Sequence, residues 1–198
     1  MPQQPTRLRI LDAAHELMLR LGLARVTTKE IAKAAGCSEA ALYKYFPSKE
    51  ELFISVLTER LPRLGPLLDE LVAAPPERSV EGNLIEIARQ AALFYRQSFP
   101  IGASLYAQTQ LRERHTEAMR ALGAGPHRPI EGLAAYLGAE QRAGRIRPDA
   151  DPHAAASLLL GACAHRAFVY DMTETGEPPQ SLDEFAAGLA RTLLAGIA

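Results

Sequence analysis

The residues of this chain whose types and spacing best suit a binding role are concentrated between positions 27 and 49. All four lysines of the protein lie in this stretch, at positions 29, 33, 44 and 49. Within it, the segment EAALYKY at positions 39–45 combines small side chains with tyrosine and lysine. Small residues allow a helix to enter the major groove of DNA, where longer polar side chains reach base edges or phosphates. The stretch therefore predicts contact with double-stranded DNA.

Formal charge is distributed unevenly along the chain. Residues 1–50 carry eight Lys+Arg and five Asp+Glu, a balance of +3, whereas the rest carries 14 and 18, a balance of −4. The net charge of −1 therefore conceals a basic N-terminal part and an acidic remainder. This asymmetry favours one domain that meets phosphates and a second domain that does not.

Helix caps predict how the basic stretch is folded. Thr27 and Glu30 have the spacing of a capping box, so a helix should begin near Thr28. Gly36 lies where this helix must end, because glycine readily adopts the left-handed conformation found at helix C-termini. Ser38 is then a suitable N-cap for a second helix over residues 39–45.

Two more helices are predicted around this pair. Ser48 and Glu51 form a capping box that begins the following helix. Before the pair, Thr6 is expected to cap a helix that ends at Gly22, with apolar residues at helical spacing between them. A helix, a glycine-containing turn and a second helix are the outline of a DNA-binding helix-turn-helix.

The segment from about Arg7 to Phe53 resembles the N-terminal DNA-binding domain of the TetR family of bacterial transcriptional repressors. The motifs that carry the resemblance are TTKEIAKAAG, CSEAALYKYF and PSKEELF. The resemblance implies an all-α fold of about nine helices, with a helix-turn-helix domain followed by a ligand-binding and dimerisation domain. It further implies a homodimer whose last two helices form a four-helix bundle, and release from a palindromic operator by a small apolar or aromatic ligand. The absence of any alternating, β-rich stretch also favours an all-α fold.

The resemblance implies roles for particular residues. Phosphate contacts are implied for Thr28, Tyr43, Tyr45 and Lys49, and positions that can face bases for Lys29, Glu39, Ala40 and Lys44; Ser38 completes the predicted DNA-binding set.

Two departures from the family pattern bear on these roles. Ala40 and Ala41 stand where many relatives have Gly and Thr, which removes a polar contact. Glu39 places an acid near phosphate, or it accepts a hydrogen bond from a cytosine amino group.

We divide the chain by function into residues 1–47 for DNA binding, 48–76 as a connecting helix, and 77–198 for ligand binding and dimerisation. Pro62 should kink or end the connecting helix, because proline removes a backbone hydrogen bond and clashes with the preceding turn. Pro75 and Pro76 are expected to mark its end.

Caps and breakers predict the helices of the second domain. One helix should run from Val80 until Pro100 closes it. Two more are expected from about Gly102 to Leu122 and from Pro129 to about Ala143. The last two should begin at Pro152, after the Asp151 cap, and at the Ser181–Glu184 capping box.

The helix that begins at Pro152 is apolar on nearly every side, so it should be buried all round. A partner chain on one side would satisfy this, and a monomeric bundle with the helix at its centre is the alternative. The expected dimer-interface residues are Leu158, Ala162, Leu189 and Leu193.

Several residues of the second domain suit a mostly apolar cavity with a few polar groups. The predicted ligand-pocket residues are Tyr95, Ser98, Phe99, Tyr106, Gln110, Tyr136, His165 and Phe168. Each of the aromatic residues could equally be part of an ordinary core.

No catalytic or metal-binding pattern is evident. Histidines 115, 127, 153 and 165 lie on different predicted elements, and Cys163 and His165 do not face the same way on a helix. We therefore expect neither an enzyme nor a cofactor. The alternatives are an architectural DNA-binding protein without an effector, and a helical small-molecule-binding protein without DNA binding. Two cysteines and the lack of a signal peptide favour the cytoplasm.

Overall fold

A computed structural model describes residues 5–62, 64–73, 78–107, 109–171 and 178–197. In these ranges the chain forms ten α-helices and no β-strand, so the all-α prediction is confirmed with one helix more than expected. The helices are α1 (Thr6–Leu21), α2 (Thr28–Ala34), α3 (Glu39–Tyr45), α4 (Lys49–Glu59), α5 (Leu64–Ala73), α6 (Val80–Tyr106), α7 (Thr109–Ala121), α8 (Arg128–Arg142), α9 (Pro152–Asp171) and α10 (Leu182–Ile197).

The chain divides into two compact units. The first unit comprises Met1–Leu61 and Gln97–Gly125, and the second comprises Pro62–Arg96 and Pro126–Ala198. These units are defined by packing, and the division of the chain by function stays a prediction.

In the first unit, α1 packs against α2, α3 and α4, and α7 packs against α4. The core is made of fully buried aliphatic side chains, among them Ile10, Met18, Ile31, Leu42 and Leu52. Each such side chain stabilises the fold by roughly 1.5–3 kcal/mol when it leaves water. This shared core fixes α3 on the other helices of the unit.

The start of α1 differs from the prediction, which made Thr6 the N-cap. The N-cap is Pro5, whose extended backbone presents its carbonyl to the amides of Leu8 and Arg9 at 3.0 and 3.2 Å. Thr6 is thus the first helical residue. The predicted end at Gly22 is confirmed, and this glycine has φ 75°.

Pro100 does not close the helix that contains it, contrary to the prediction. α6 continues to Tyr106, and α7 begins only at Thr109. A proline inside a helix costs about 3 kcal/mol. Burial of Ile101 (0% exposed) and Leu105 (8% exposed) in the first unit offsets that cost.

Pro62 separates two helices, so of the two expected outcomes the helix ends near this proline and does not continue with a kink. α4 ends at Glu59 and α5 begins at Leu64. The Pro62 carbonyl accepts a hydrogen bond from the Leu64 amide at 2.8 Å. Pro75 and Pro76, the predicted end of the connector, lie outside the described residues.

In the second unit, α8 packs against both α5 and α9, and α10 packs against α9. Among the described residues of this unit, Asn83 and Glu140 are polar and buried. The Asn83 amide donates to the Tyr136 hydroxyl at 2.8 Å, and Glu140 forms an ion pair with Arg145. Both polar groups therefore have the partners that burial requires.

The predicted caps of the last two helices are confirmed. Asp151 Oδ1 accepts from the amides of His153 and Ala154 at 2.8 and 3.1 Å. Ser181 and Glu184 form both halves of a capping box. Along the described part of the chain, no helix is long and apolar enough to cross a bilayer.

Candidate nucleic-acid interface

The turn between α2 and α3 is built as the cap residues predict. Thr27 Oγ1 accepts from the Glu30 amide at 3.2 Å, and Glu30 Oε2 accepts from the Thr27 amide at 2.9 Å, which completes the capping box. Gly36 has φ 64°, a conformation that side chains disfavour. The helix-turn-helix geometry is therefore set by local hydrogen bonds.

Ser38 and Leu42 fix α3 in place. Ser38 Oγ accepts from the Ala41 amide at 3.1 Å, so this predicted DNA-contact residue also serves as the helix cap. Leu42 is fully buried and anchors α3 to the core of the first unit. The rest of the helix is left to face outwards.

The outward side of α3 exposes Glu39, Ala40, Tyr43, Lys44 and Tyr45. The two tyrosines are 44% and 47% exposed, which is unusual for large aromatic side chains. Lys29 on α2 is exposed as well. Every predicted DNA-contact residue on α3 is therefore accessible to a partner.

A chain of hydroxyl groups joins α2 to α3 on this surface. Thr28 Oγ1 donates to Glu39 Oε1 at 2.5 Å and lies 3.2 Å from the Tyr43 hydroxyl. Because threonine has a single hydroxyl proton, which goes to Glu39, the Tyr43 hydroxyl must be the donor to Thr28. The hydrogen bonds thus run in one direction: Tyr43 donates to Thr28, and Thr28 donates to Glu39.

Lys49 is placed differently from the other lysines. Its side chain is partly buried, and its Nζ donates to the Leu23 carbonyl at 2.6 Å. Burial lowers the pKa of Lys49, and the nearby Glu50 and Glu30 oppose that shift. The Leu23 amide in turn donates to the Ile101 carbonyl at 2.8 Å. Lys49 therefore ties the start of α4 to the turn after α1, and its predicted phosphate contact stays a prediction.

His115 lies beside this lysine. Its ring meets Phe53 edge-on at 5.1 Å, and burial lowers the pKa of His115 while Glu50 opposes the shift. A crevice of about 10 Å³, close to the least space that can hold one water molecule, is lined by Leu23, Lys49, Glu50, Leu105 and His115. Sequence reasoning considered His115 only as a metal ligand and missed this packing role.

The predicted ligand-pocket residues fall in both units. Ser98, Phe99, Tyr106 and Gln110 belong to the first unit, and Tyr95, Tyr136, His165 and Phe168 belong to the second. Tyr106 and Phe168 are 76% and 58% exposed, whereas Tyr136 is fully buried. Burial raises the pKa of both Tyr95 and Tyr136 to about 12. The pocket stays a prediction, and Tyr136 is a core residue of its unit.

The predicted dimer-interface residues also differ in exposure. Leu158 on α9 is 66% exposed, and Ala162 and Leu189 are partly buried. Leu193, in contrast, is 7% exposed because it packs in the core of its own unit. α9 is therefore buried on one side only within the single chain, so the alternative of a monomeric bundle with this helix at its centre is wrong, and burial of the other side by a partner chain stays a prediction.

Family models match most of the chain. Residues 10–56 match the model of the bacterial regulatory proteins of the tetR family, and residues 83–195 match that of the AefR-like transcriptional repressor C-terminal domain. Among curated proteins, the uncharacterised HTH-type transcriptional regulator YvkB of Bacillus subtilis is 39% identical over 67 residues, which are 34% of this chain and 35% of YvkB. The chain thus spans about a third of that relative's length.

Solved structures with a similar fold cover nearly the whole chain. A putative TetR-family regulator from Mesorhizobium loti has a TM-score of 0.69 at 22% identity, covering 98% of this chain and 96% of that one. FadR of Bacillus subtilis, determined in complex with stearoyl-CoA, has a TM-score of 0.66 at 19% identity, covering 96% and 99%. The sequence match over both parts of the chain, on a fold whose α2 and α3 form a helix-turn-helix, shows that this protein belongs to the tetR family of bacterial transcriptional regulators.

Proposed function

We propose that this protein is a repressor that binds a palindromic operator as a homodimer and leaves it when a small apolar or aromatic molecule binds. The observation that carries the DNA-binding part is the outward side of α3, where Tyr43 and Tyr45 expose 44% and 47% of their surface beside Lys44. Tyrosine hydroxyls and ammonium groups are donors to phosphate oxygens and base acceptors. Such a protein acts in the cytoplasm, and we assign it no catalytic activity.

The exposed side of α9 supports the homodimer. Ala154, Leu158, Gly161, His165 and Phe168 are exposed at intervals of three and four residues, so they form one stripe along the helix. A second copy that packed its own stripe on this one would bury both large apolar side chains. Two recognition helices would then have to lie ~34–36 Å apart to enter successive major grooves.

Two neighbours in fold support control by a small molecule. FadR of Bacillus subtilis was solved with stearoyl-CoA, and SmeT is described as the repressor of a multidrug efflux pump. A ligand releases DNA only if it binds the DNA-free conformation more tightly than the DNA-bound one. By reciprocity, operator DNA must weaken ligand binding by the same factor by which the ligand weakens DNA binding.

The test is selection of binding sites by the full-length protein from duplexes with a randomised core, followed by footprinting. We expect an enriched palindrome whose two half-sites are about one helical turn apart. If no sequence is enriched, and DNA affinity varies with salt concentration but not with sequence, the result would instead support an architectural DNA-binding protein.

A further inference from the structure

We propose that Glu39 determines sequence specificity by accepting a hydrogen bond from a cytosine amino group, and that Thr28 positions its carboxylate for this contact. The inference rests on the proposed DNA-binding function and adds a particular base and atom to it. It also decides between the two roles that the sequence leaves open for Glu39.

The carboxylate of Glu39 is held across two helices. Thr28 is the first residue of α2 and Glu39 the first of α3, and the hydrogen bond between them is 2.5 Å long. Tyr43, one turn further along α3, completes the chain of donors at 3.2 Å from Thr28 Oγ1. The two hydrogen bonds in series orient the carboxylate on the exposed surface between α2 and α3.

Helix stability does not explain this arrangement. The α3 cap is Ser38, and the α2 cap is the box formed by Thr27 and Glu30. The Glu30 carboxylate takes part in that box, because its Oε2 accepts hydrogen bonds from both the amide and the hydroxyl of Thr27. Glu39 accepts instead from the hydroxyl of Thr28 on the other helix, so its hydrogen bond caps neither helix.

The chemistry of an exposed carboxylate favours one base. An ionised carboxylate is only an acceptor, with two oxygens and about four lone-pair positions, of which Thr28 uses one. In the major groove cytosine and adenine present amino donors, but the adenine amino group lies beside the N7 acceptor, which repels a carboxylate, and thymine O4 and guanine O6 and N7 are acceptors as well. The N-terminal residues of a recognition helix are those that contact base edges. Glu39 has this position on α3.

A competing role for Glu39 makes a different prediction. If the carboxylate only occupies hydroxyls that would otherwise donate to phosphate, removing it should raise the affinity for every sequence equally. Specific reading of cytosine instead requires that the preference at one base pair changes. Measuring affinity and preference together therefore separates the two roles.

The experiment uses the full-length protein and duplexes with a randomised core. Wild type should enrich a C·G pair at one position of each half-site, and Glu39→Gln and Glu39→Ala should lose that preference while the rest of the site is retained. Thr28→Val, which keeps the side-chain shape without the hydroxyl, should weaken the same preference, and Thr28→Ser should retain it. Thermal unfolding of each variant checks that the fold is intact.

A change of one base pair in the DNA then tests the contact. In the selected duplex, a U·A pair replaces the C·G pair, so that an O4 acceptor stands where the cytosine amino donor was. Wild type should lose about fivefold to tenfold in affinity, the lower part of the range for a base contact. Glu39→Ala should lose less than about twofold.

The outcomes separate this inference from the proposed function. If wild type selects no sequence, both fail. If wild type selects a palindrome but the Glu39 and Thr28 variants keep the same cytosine preference, the inference is overturned and the proposed function stands. A uniform gain in affinity for the Glu39 variants, with unchanged preference, assigns the carboxylate to the competing role.

Discussion

α3 and α9 each present two large side chains to solvent, and the chemistry of the two surfaces is opposite. α3 exposes Tyr43 and Tyr45 by 44% and 47%, and α9 exposes Leu158 and Phe168 by 66% and 58%. The α3 surface carries hydroxyls and a lysine, whereas the α9 stripe is almost wholly apolar. Exposed aromatic side chains with polar ends suit a hydrated interface with a charged partner, and an apolar stripe suits an interface from which water is excluded. The chemistry of the exposed side chains thus indicates which kind of partner each of the two surfaces would take.

The largest expected effect comes from a charge placed on the apolar stripe. Leu158→Glu should convert a dimer to a monomer, because an unpaired charge inside an interface costs several kcal/mol. Sedimentation velocity measures the change. The monomeric variant should keep the helical circular dichroism signal of the wild type, since Leu158 is exposed in the single chain.

Leu193→Glu is the matched control on the neighbouring helix. Leu193 is 7% exposed within its own unit, so the same charge should unfold that unit and lose circular dichroism signal as well as the dimer. A folded Leu193→Glu monomer, or a dimeric Leu158→Glu protein, would contradict the distinction between the exposed Leu158 on α9 and the buried Leu193 on α10.

The next effect concerns the buried side of α9. Burial raises the pKa of the Cys163 thiol to about 12, which lowers its reactive thiolate fraction about a thousandfold. In the native protein a thiol reagent should therefore modify Cys37, which is partly exposed, and spare Cys163 until urea is added. The protection should persist in the Leu158→Glu monomer, because Cys163 is covered by its own chain. Equal labelling of both cysteines in the native state is the contrary result.

A smaller effect separates two lysines near the DNA-binding surface. Lys49→Ala should lower the free energy of unfolding by about 1 kcal/mol, because it removes a charged hydrogen bond to the Leu23 carbonyl. Lys44→Ala, at an exposed position, should change it by less than about 0.5 kcal/mol. Urea unfolding gives both values. Equal unfolding energies for the two variants would mean that the Lys49 contact contributes nothing to the fold.

A DNA-binding measurement on Lys44→Ala completes this prediction. The variant should change the relative affinities of operator variants, since the Lys44 side chain faces outwards from α3.

The smallest effect is a pH dependence confined to the first unit. Burial lowers the pKa of both His15 and His115 below 6.5, their ordinary value. A histidine with a lowered pKa binds its proton more readily when unfolded, so the stability that it contributes is present above pH 6.5 and is lost as the pH falls below it. His115→Gln should reduce the loss of stability between about pH 7 and pH 5 by a few tenths of a kcal/mol. An identical pH profile in that variant would assign the dependence to other groups.

The helix-turn-helix could be predicted from the sequence almost to the residue, because the signals that define it are local. Thr27, Glu30, Gly36 and Ser38 act within a few residues of their own positions, and each does what its type predicts. The same reasoning gave the caps at Asp151 and Ser181. Local hydrogen bonds at helix ends require particular residue types at fixed spacings, so they can be predicted from the sequence.

The failures have a different origin, in packing between distant segments. Pro100 is a strong local stop signal, but burial of the following turn outweighs it. The bond from Lys49 to Leu23, and from Leu23 to Ile101, joins residues far apart in the chain, and no pattern indicates it. The same limit applies to Tyr136 and Leu193, whose helical spacing is the same for a core, a pocket or an interface.

The path of α6 has a consequence for anyone who wishes to recombine this regulator with others. Its residues up to Arg96 belong to one unit and those from Gln97 to the other, so the DNA-binding unit is completed by a segment that arrives from later in the chain. A hybrid that joined residues 1–61 to a foreign effector domain would take away the Ile101 carbonyl that receives the Leu23 amide, and the His115 ring that covers Phe53. The transplantable module is therefore discontinuous, and a successful exchange must carry residues 97–125 along with the helix-turn-helix.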